Sequence, residues 1–124
     1  MYEKYLKLLS EYISFQSIST DNTFKNEMYQ TAEWLSKTLQ DYGFTTELWA
    51  GRECNPIVYA KYTHDPKAET ILIYGHYDVQ PAEKSDGWDA DPFKVTTKNG
   101  RLVARGIVDN KGQNLIHIVT IGEL

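Results

Sequence analysis

Two stretches near the N-terminus carry apolar residues at the spacing of an amphipathic helix. In the first, residues 2–15, charged side chains separate apolar positions that share one face: Tyr5, Leu8, Leu9, Tyr12 and Ile13. In the second, residues 25–42, the apolar positions again fall on one face, and Gly43 follows where glycine commonly ends a helix. The polar stretch 16–24 between them predicts a loop. The pattern therefore predicts two helices whose apolar faces belong to a core.

Shorter patterns in the middle of the chain predict strands. Residues 44–49 alternate between polar and apolar side chains, and residues 57–62 form a second short run of apolar and aromatic side chains. Residues 94–97 and 101–104 lie on either side of Asn99-Gly100, and Asn-Gly is the favoured two-residue turn of a β-hairpin. The sequence therefore predicts two strands followed by a hairpin.

Two further apolar runs have no clear polar face. Residues 71–74, Ile-Leu-Ile-Tyr, predict a strand that is buried on both faces, as in a parallel sheet. Residues 113–121 are apolar on most sides, and this pattern by itself suits either a helix or a strand.

Composition narrows the class of protein. A chain of 124 residues suits one domain, and 41% hydrophobic residues are enough for a core. The net charge of -4 argues against nucleic acid as a partner. No apolar stretch approaches the ~20 residues of a membrane span, so a membrane is not expected as a partner. The single Cys54 excludes an internal disulfide, and the charged N-terminus has no signal-peptide pattern, which favours a cytoplasmic location.

The candidate chemistry lies at the end of the 71–74 run. In extended backbone, side chains two residues apart share a face, so His76 and Asp78 are expected to project the same way. A neutral imidazole is a common metal ligand, and a carboxylate on its other ring nitrogen fixes its orientation. Asp109, in a second glycine-flanked loop, can bring another carboxylate to this place. On spacing alone, a capped strand end with a solvated aspartate is the simpler interpretation.

Four linked motifs favour the metal site. They are GHYDVQPA at 75–82, WDADPF at 88–93, GRL at 100–102, and RG at 105–106 followed by DNKG at 109–112. In this order and spacing they resemble the N-terminal catalytic region of the zinc aminoacylase/dipeptidase family. That family includes acetylornithine deacetylase, succinyl-diaminopimelate desuccinylase, carboxypeptidase G and carnosine-type dipeptidases. The residues of the first motif are more similar to those of the dipeptidase branch than to those of the deacetylase branch.

The resemblance implies a fold. It is an α/β fold in which this chain supplies the N-terminal part of a mixed, largely parallel sheet flanked by helices, as in the catalytic domain of zinc exopeptidases. The hairpin at about 94–104 is then an excursion from the sheet, and residues 113–121 are a helix. Residues 1–124 are expected to be an incomplete N-terminal segment of that catalytic domain.

The resemblance also implies roles for residues. His76 matches a histidine that ligates one zinc ion, and Asp109 matches the aspartate that bridges two metal ions. Asp78 matches a carboxylate that orients the site and is counted as catalytic. Asn110 departs from the family pattern, which often has aspartate there. The implied cofactor is a pair of zinc ions, with manganese or cobalt as alternatives, and the implied substrate is a dipeptide or an N-acyl amino acid. The general base and the remaining ligands are expected beyond Leu124.

Three hypotheses about function follow. The first is an N-terminal fragment of a metal-dependent dipeptidase or amidohydrolase, inactive alone, whose full enzyme uses water activated by two zinc ions. The second is a catalytically silent α/β module that acts by association through an open sheet edge. The third is a single-metal hydrolase completed by His117 or His64.

Several other residues carry chemistry but fit simpler roles. His64 lies among polar residues and is expected at the surface, and His117 is expected as a packed core residue. A catalytic role for Cys54 lacks the accompanying residues that such a thiol requires. Turn or cap roles are favoured for Ser17 and Ser19 over a place in a pocket.

Overall fold

The structure, a computed structural model, describes residues 1–51 and 53–124; Arg52, in the predicted loop 50–56, lies outside the described residues. In chain order, the elements are α1 (Tyr2–Ser14), α2 (Lys25–Asp41), β1 (Thr45–Trp49), β2 (Ile57–Lys61), β3 (Thr96–Lys98), β4 (Arg101–Val103) and α3 (Lys111–Gly122). Short 3-10 helices at Asn22–Phe24 and Lys84–Asp86 lie in the connecting loops. The described residues thus combine helices with short strands, which agrees with the α/β class that the resemblance implies.

The two N-terminal helices are confirmed, and their apolar faces meet in the main core. The core side chains come from all three helices: Leu9, Tyr12, Ile13, Leu35, Leu39, Leu115, Ile118 and Val119. The rings of Tyr12 and Trp34 stack with centroids 4.9 Å apart, which joins α1 to α2. Helix α2 ends where the sequence indicates, and Gly43 takes the left-handed backbone conformation with φ 88°.

The third helix settles the choice that periodicity left open at residues 113–121. This segment is a helix, and α3 begins two residues earlier, at Lys111. It packs against α1 and turns Leu115, Ile118 and Val119 into the core. None of the helices in the described part of the chain is both long and apolar enough to cross a bilayer.

The short strands form two separate antiparallel pairs. β1 pairs with β2 from Thr45 opposite Lys61 to Trp49 opposite Ile57, and β3 pairs with β4 in the predicted hairpin. The hairpin turn has φ 51° at Asn99 and φ 73° at Gly100, the positive values that this turn requires at both positions. The strand and hairpin predictions are therefore confirmed, although each strand is one residue shorter than its pattern and β3 begins two residues later, at Thr96.

The predicted buried strand at 71–74 is wrong for this structure. Its side chains are exposed by 83% (Ile71), 90% (Leu72), 44% (Ile73) and 87% (Tyr74). Among the described residues, no backbone–backbone hydrogen bond involves residues 70–75. A strand buried on both faces needs neighbouring strands and cover on both faces. Among the described residues, β1 pairs with β2 and β3 pairs with β4, and neither pair extends to residues 71–74. The largely parallel sheet is likewise not observed; the described parallel pairing is one isolated bridge between Ile18 and Val79.

Lys111 joins the start of α3 to the end of α1. Its side chain is fully buried, and Nζ donates hydrogen bonds to the carbonyl oxygens of Tyr12, at 2.9 Å, and Phe15, at 2.8 Å. These oxygens lie at the end of α1, where helix carbonyls lack partners within the helix. Burial lowers the pKa of Lys111 to about 7, although the charges of Glu27 and Asp78 act in the opposite direction.

Leu115 and Ile116 provide a matched test of the core. Leu115→Ala should lower the free energy of unfolding by about 2–5 kcal/mol, because the side chain is fully buried between the helices. Ile116→Ala on the same helix should cost less than about 1 kcal/mol, since that side chain is 52% exposed. Urea denaturation followed by circular dichroism measures both, and equal losses would contradict this arrangement of α3.

Candidate metal centre

The His76 imidazole lies between two carboxylates from different loops. Its Nδ1 atom is 2.9 Å from Oδ1 of Asp78, and its Nε2 atom is 2.9 Å from Oδ1 of Asp109. The backbone carbonyl of Asp78 is also 3.1 Å from Nδ1. The structure thus brings together the three residues that the sequence singled out. The expectation that His76 and Asp78 project the same way agrees with this geometry.

The backbone of His76 is held by the start of α3. Its N–H donates to Oδ1 of Asn110 at 3.2 Å, and its carbonyl accepts from Nδ2 of Asn114 at 2.8 Å. This close approach requires glycine at position 75. A Cβ atom on Gly75 would lie 1.8 Å from Oδ1 of Asn114 and 2.6 Å from Oδ1 of Asn110. Both bonds tie the His76 loop to the segment that carries Asp109.

The loop after α1 holds Asp78 from the opposite side. The hydroxyl of Ser19 donates to Oδ2 of Asp78 at 2.5 Å, while Oδ1 faces His76. Ser17 reinforces the contact, since its hydroxyl donates to the carbonyl of Tyr77 at 2.7 Å and its own carbonyl accepts from the N–H of Val79 at 2.9 Å. The carboxylate of Asp78 is therefore fixed through both of its oxygens.

The contacts with Asp78 and Asp109 together outweigh the effect of burial on the pKa of His76. Burial alone lowers the pKa of the imidazole, but its hydrogen bonds to the Asp78 backbone and to Asp109, together with the charge of Asp78, act more strongly. The net result is a pKa of His76 above its usual 6.5. Because both ring nitrogens face carboxylate oxygens, the site favours positive charge at the imidazole.

The donor set suits a divalent metal ion such as zinc. Imidazole nitrogen and carboxylate oxygen are zinc ligands, and a carboxylate on the second ring nitrogen is the usual support for a ligating histidine. The side chain of Asp109 is 80% exposed, so its oxygens remain open to solvent or to a ligand. The described residues offer too few candidate ligands for a complete metal site, however. Within residues 1–51 and 53–124, no group of three or more His, Cys, Asp or Glu residues could hold a metal ion.

The remaining histidines and the cysteine do not complete this site. His64 is exposed, as expected, and His117 is exposed as well, so its expected place in the core is wrong. His117 lies on the side of α3 that faces away from the buried Leu115 and Ile118. Cys54 is exposed and free.

Sequence reasoning missed three groups at the site. The sequence gives no reason to assign Asn110 and Asn114 to the site, yet both hold the backbone of His76. Ser19 is expected in a turn or cap, yet it bonds to Asp78. A glycine directly before His76 is the available signal, because it indicates that another group approaches the backbone closely. The peptide bond between Asp109 and Asn110 is cis.

Comparisons with known proteins find metallopeptidases that are similar to this chain. The model of peptidase family M20/M25/M40 matches residues 72–124, the part that contains all three candidate residues. The Cys-Gly metallodipeptidase of Schizosaccharomyces pombe is 34% identical over 120 residues, which cover 89% of this chain and 25% of that protein. The human Beta-Ala-His dipeptidase is 32% identical over 128 residues, which cover 94% of this chain and 25% of that protein.

Solved structures give the same result. Human carnosine dipeptidase 1 superposes with a TM-score of 0.89 at 30% identity, over 96% of this chain and 27% of that one. A metallo-carboxypeptidase from Sulfolobus solfataricus has a TM-score of 0.84 at 36% identity, over 97% of this chain and 26% of that one. The chain spans about a quarter of the length of these two curated dipeptidases. The motifs, the site geometry and these matches together show that the chain belongs to peptidase family M20/M25/M40.

Proposed function

We propose that this chain supplies one part of the metal centre of a metal-dependent dipeptidase. In this proposal His76 ligates one metal ion through Nε2, Asp109 bridges two ions, and Asp78 orients the imidazole through Nδ1. The observation that carries the proposal is the convergence of His76 Nε2 and an oxygen of the exposed Asp109 at 2.9 Å. A nitrogen and a carboxylate oxygen that share an ion must lie close together, and these two atoms do.

The proposed metal is zinc, in a two-ion site, with manganese or cobalt as alternatives. When bound, such ions would supply the Lewis acidity that makes water a nucleophile near neutral pH and polarises an amide carbonyl. The residues of this chain hold the His76 loop and orient its imidazole ring. Asp78 keeps the imidazole ring in place, and the backbone bonds from Asn110 and Asn114 keep the His76 loop against α3.

The ligand count indicates that other residues take part. A catalytic zinc ion usually has three protein ligands and water, and two candidate ligands converge in this chain. We propose that the general base and the remaining ligands come from residues outside these 124, as part of a longer catalytic domain. The chain by itself is then a preorganised but incomplete site.

The proposed substrate is a dipeptide. The relatives are named for Cys-Gly and for Beta-Ala-His, which share little side-chain chemistry but are both dipeptides. Their common feature is one amide bond between a free amine and a free carboxylate. An N-acyl amino acid retains the amide and the carboxylate but lacks the amine, so comparison of the two substrate types tests whether the amine is recognised. The cytoplasmic location expected from the N-terminal sequence stays a prediction.

Weak zinc binding at His76 is the first expected outcome. In an NMR titration of the 124-residue chain with zinc chloride, the resonances of His76 should shift, with low affinity because two ligands are too few. Asp109→Asn and His76→Ala should each lower the affinity by more than roughly tenfold, because loss of even an outer partner of a ligand commonly has that effect. His64→Ala and His117→Ala are the matched controls and should leave it unchanged. A loss of affinity in either control would favour the single-metal hypothesis instead.

Hydrolysis is expected to be absent in this chain alone. A panel of dipeptides and N-acyl amino acids, incubated with the chain and added zinc, manganese or cobalt, should give no turnover above the metal-only blank. The physical reason is the missing general base and ligands. Turnover that disappears with His76→Ala would show a complete site within the chain or between its copies, and would contradict the need for further residues.

The titration of His76 tests the electrostatics of the metal-free chain. The pKa of His76 should lie above 6.5, and Asp109→Asn should lower it, because a neutral amide replaces a charged acceptor of the imidazolium. Since the folded-state pKa is raised, the stability that His76 contributes is fully present below about 6.5 and is lost as pH rises through the folded-state pKa. Imidazole proton shifts followed by NMR measure the pKa. The matched control is Asp89→Asn, an exposed carboxylate paired with Lys98, and an equal change there would contradict the direct contact with Asp109.

A further inference from the structure

We infer that Ser19 is a positioning residue of the metal centre, acting through Asp78 on the imidazole of His76. The inference rests on the proposed function and deepens it by adding a residue from the loop after α1. Ser19 lies far before His76 in the chain, outside the matched family region of residues 72–124. Its role comes from contacts in the folded chain.

The contacts form a continuous path of hydrogen bonds. Ser19 Oγ donates to Asp78 Oδ2 at 2.5 Å, and Asp78 Oδ1 faces His76 Nδ1 at 2.9 Å. Hydroxyl-to-carboxylate bonds of this length are charge-assisted and are among the stronger hydrogen bonds in proteins. Among the hydrogen bonds between described residues, Ser19 is the one donor to Oδ2. The hydroxyl therefore sets the rotation of the carboxylate that in turn sets the ring.

The loop that carries Ser19 is anchored without the Ser19 hydroxyl. Ile18 is 3% exposed and packs in a second cluster with Val79 and Phe93. Ser17 bonds to the backbone of Tyr77 through its hydroxyl, and its carbonyl accepts from the N–H of Val79. Removal of the Ser19 hydroxyl should therefore leave the loop in place and change the freedom of Asp78.

Free rotation of the Asp78 carboxylate should loosen the orientation of the His76 imidazole and lower metal affinity. Without the bond to Oδ2, the carboxylate can leave the plane in which it accepts from Nδ1, and the imidazole loses its fixed orientation. Mutation of groups that orient a metal-ligating histidine typically lowers metal affinity or activity by about 10–100-fold. The effect should appear in the imidazole before any metal is present, because both contacts exist in the metal-free chain.

The experiment compares three variants of the 124-residue chain. Ser19→Ala removes the donor, Ser19→Thr keeps a hydroxyl, and Ser17→Ala removes a buried hydroxyl of the same loop that does not contact Asp78. Each variant is measured for zinc affinity by NMR titration, for the Nδ1 proton resonance of metal-free His76, and for thermal stability. Ser19→Ala should lower zinc affinity about tenfold or more and speed exchange of the Nδ1 proton with water. Ser19→Thr should restore both, whereas Ser17→Ala, which removes an anchor of the loop but keeps the Ser19–Asp78 bond, should lower thermal stability more than Ser19→Ala and change the other two readouts less.

The outcomes separate this inference from the proposed function. If His76→Ala lowers zinc affinity and Ser19→Ala leaves both the affinity and the Nδ1 proton unchanged, Ser19 is not a positioning residue and the metal site stands. If Ser17→Ala reproduces every effect of Ser19→Ala, the loop acts as a structural support and the inference is overturned. If His76→Ala leaves zinc affinity unchanged, the proposed metal site fails, and the Nδ1 proton alone decides whether Ser19 orients the imidazole through Asp78.

Discussion

The buried side chain of Lys111 is the contact on which the rest of the site depends. It ties the first residue of α3 to the carbonyls that end α1, so the segments before α3 and after α1 are fixed to the same point. Asp109 lies two residues before Lys111, and Ser19 lies four residues after Phe15. One buried lysine therefore fixes the position of the loop that carries Ser19 relative to the loop that carries Asp109, and these two loops lie on opposite sides of His76. An amine buried so far from water needs such hydrogen-bond partners, so breaking these contacts would cost free energy.

Gly75 allows the loop that carries His76 to pack closely against the start of α3. The side chains of Asn110 and Asn114 occupy the space that any Cβ at position 75 would need, and they bond to the backbone of His76 instead. The site is thus assembled from three loops held by backbone contacts, with the imidazole in the middle. Such contacts fix the position of the chain, while Asp78 and Asp109 fix the ring itself.

The features of this chain that sequence predicts well are those determined locally. The helices follow from apolar spacing, and the hairpin follows from Asn99-Gly100, because each depends on neighbouring residues in the chain. The prediction at 71–74 is wrong because a buried strand depends on partners, and among the described residues this run has none. The prediction for His117 fails for a related reason: on a helix that is apolar on most sides, periodicity does not identify the exposed side. In the site, the contact between His76 and Asp78 follows from their spacing, whereas Asp109 needs the family resemblance. No sequence pattern indicates the role of Ser19, because its hydrogen bond to Asp78 joins two loops that are distant in sequence.

Under the proposed function, the contacts within this chain explain why two candidate metal ligands can be well ordered without the rest of a metal site. The groups that orient His76 lie within this chain: Asp78 on the ring, and Asn110 and Asn114 on the backbone. The groups that would raise metal affinity, by contrast, are too few in the described residues. Affinity increases with the number of ligands, but geometry depends on the outer partners, and these two properties need not come from the same segment. In this chain the imidazole of His76 is ordered between two carboxylates. This arrangement suits a segment that positions one candidate metal ligand, while tight metal binding depends on further ligands.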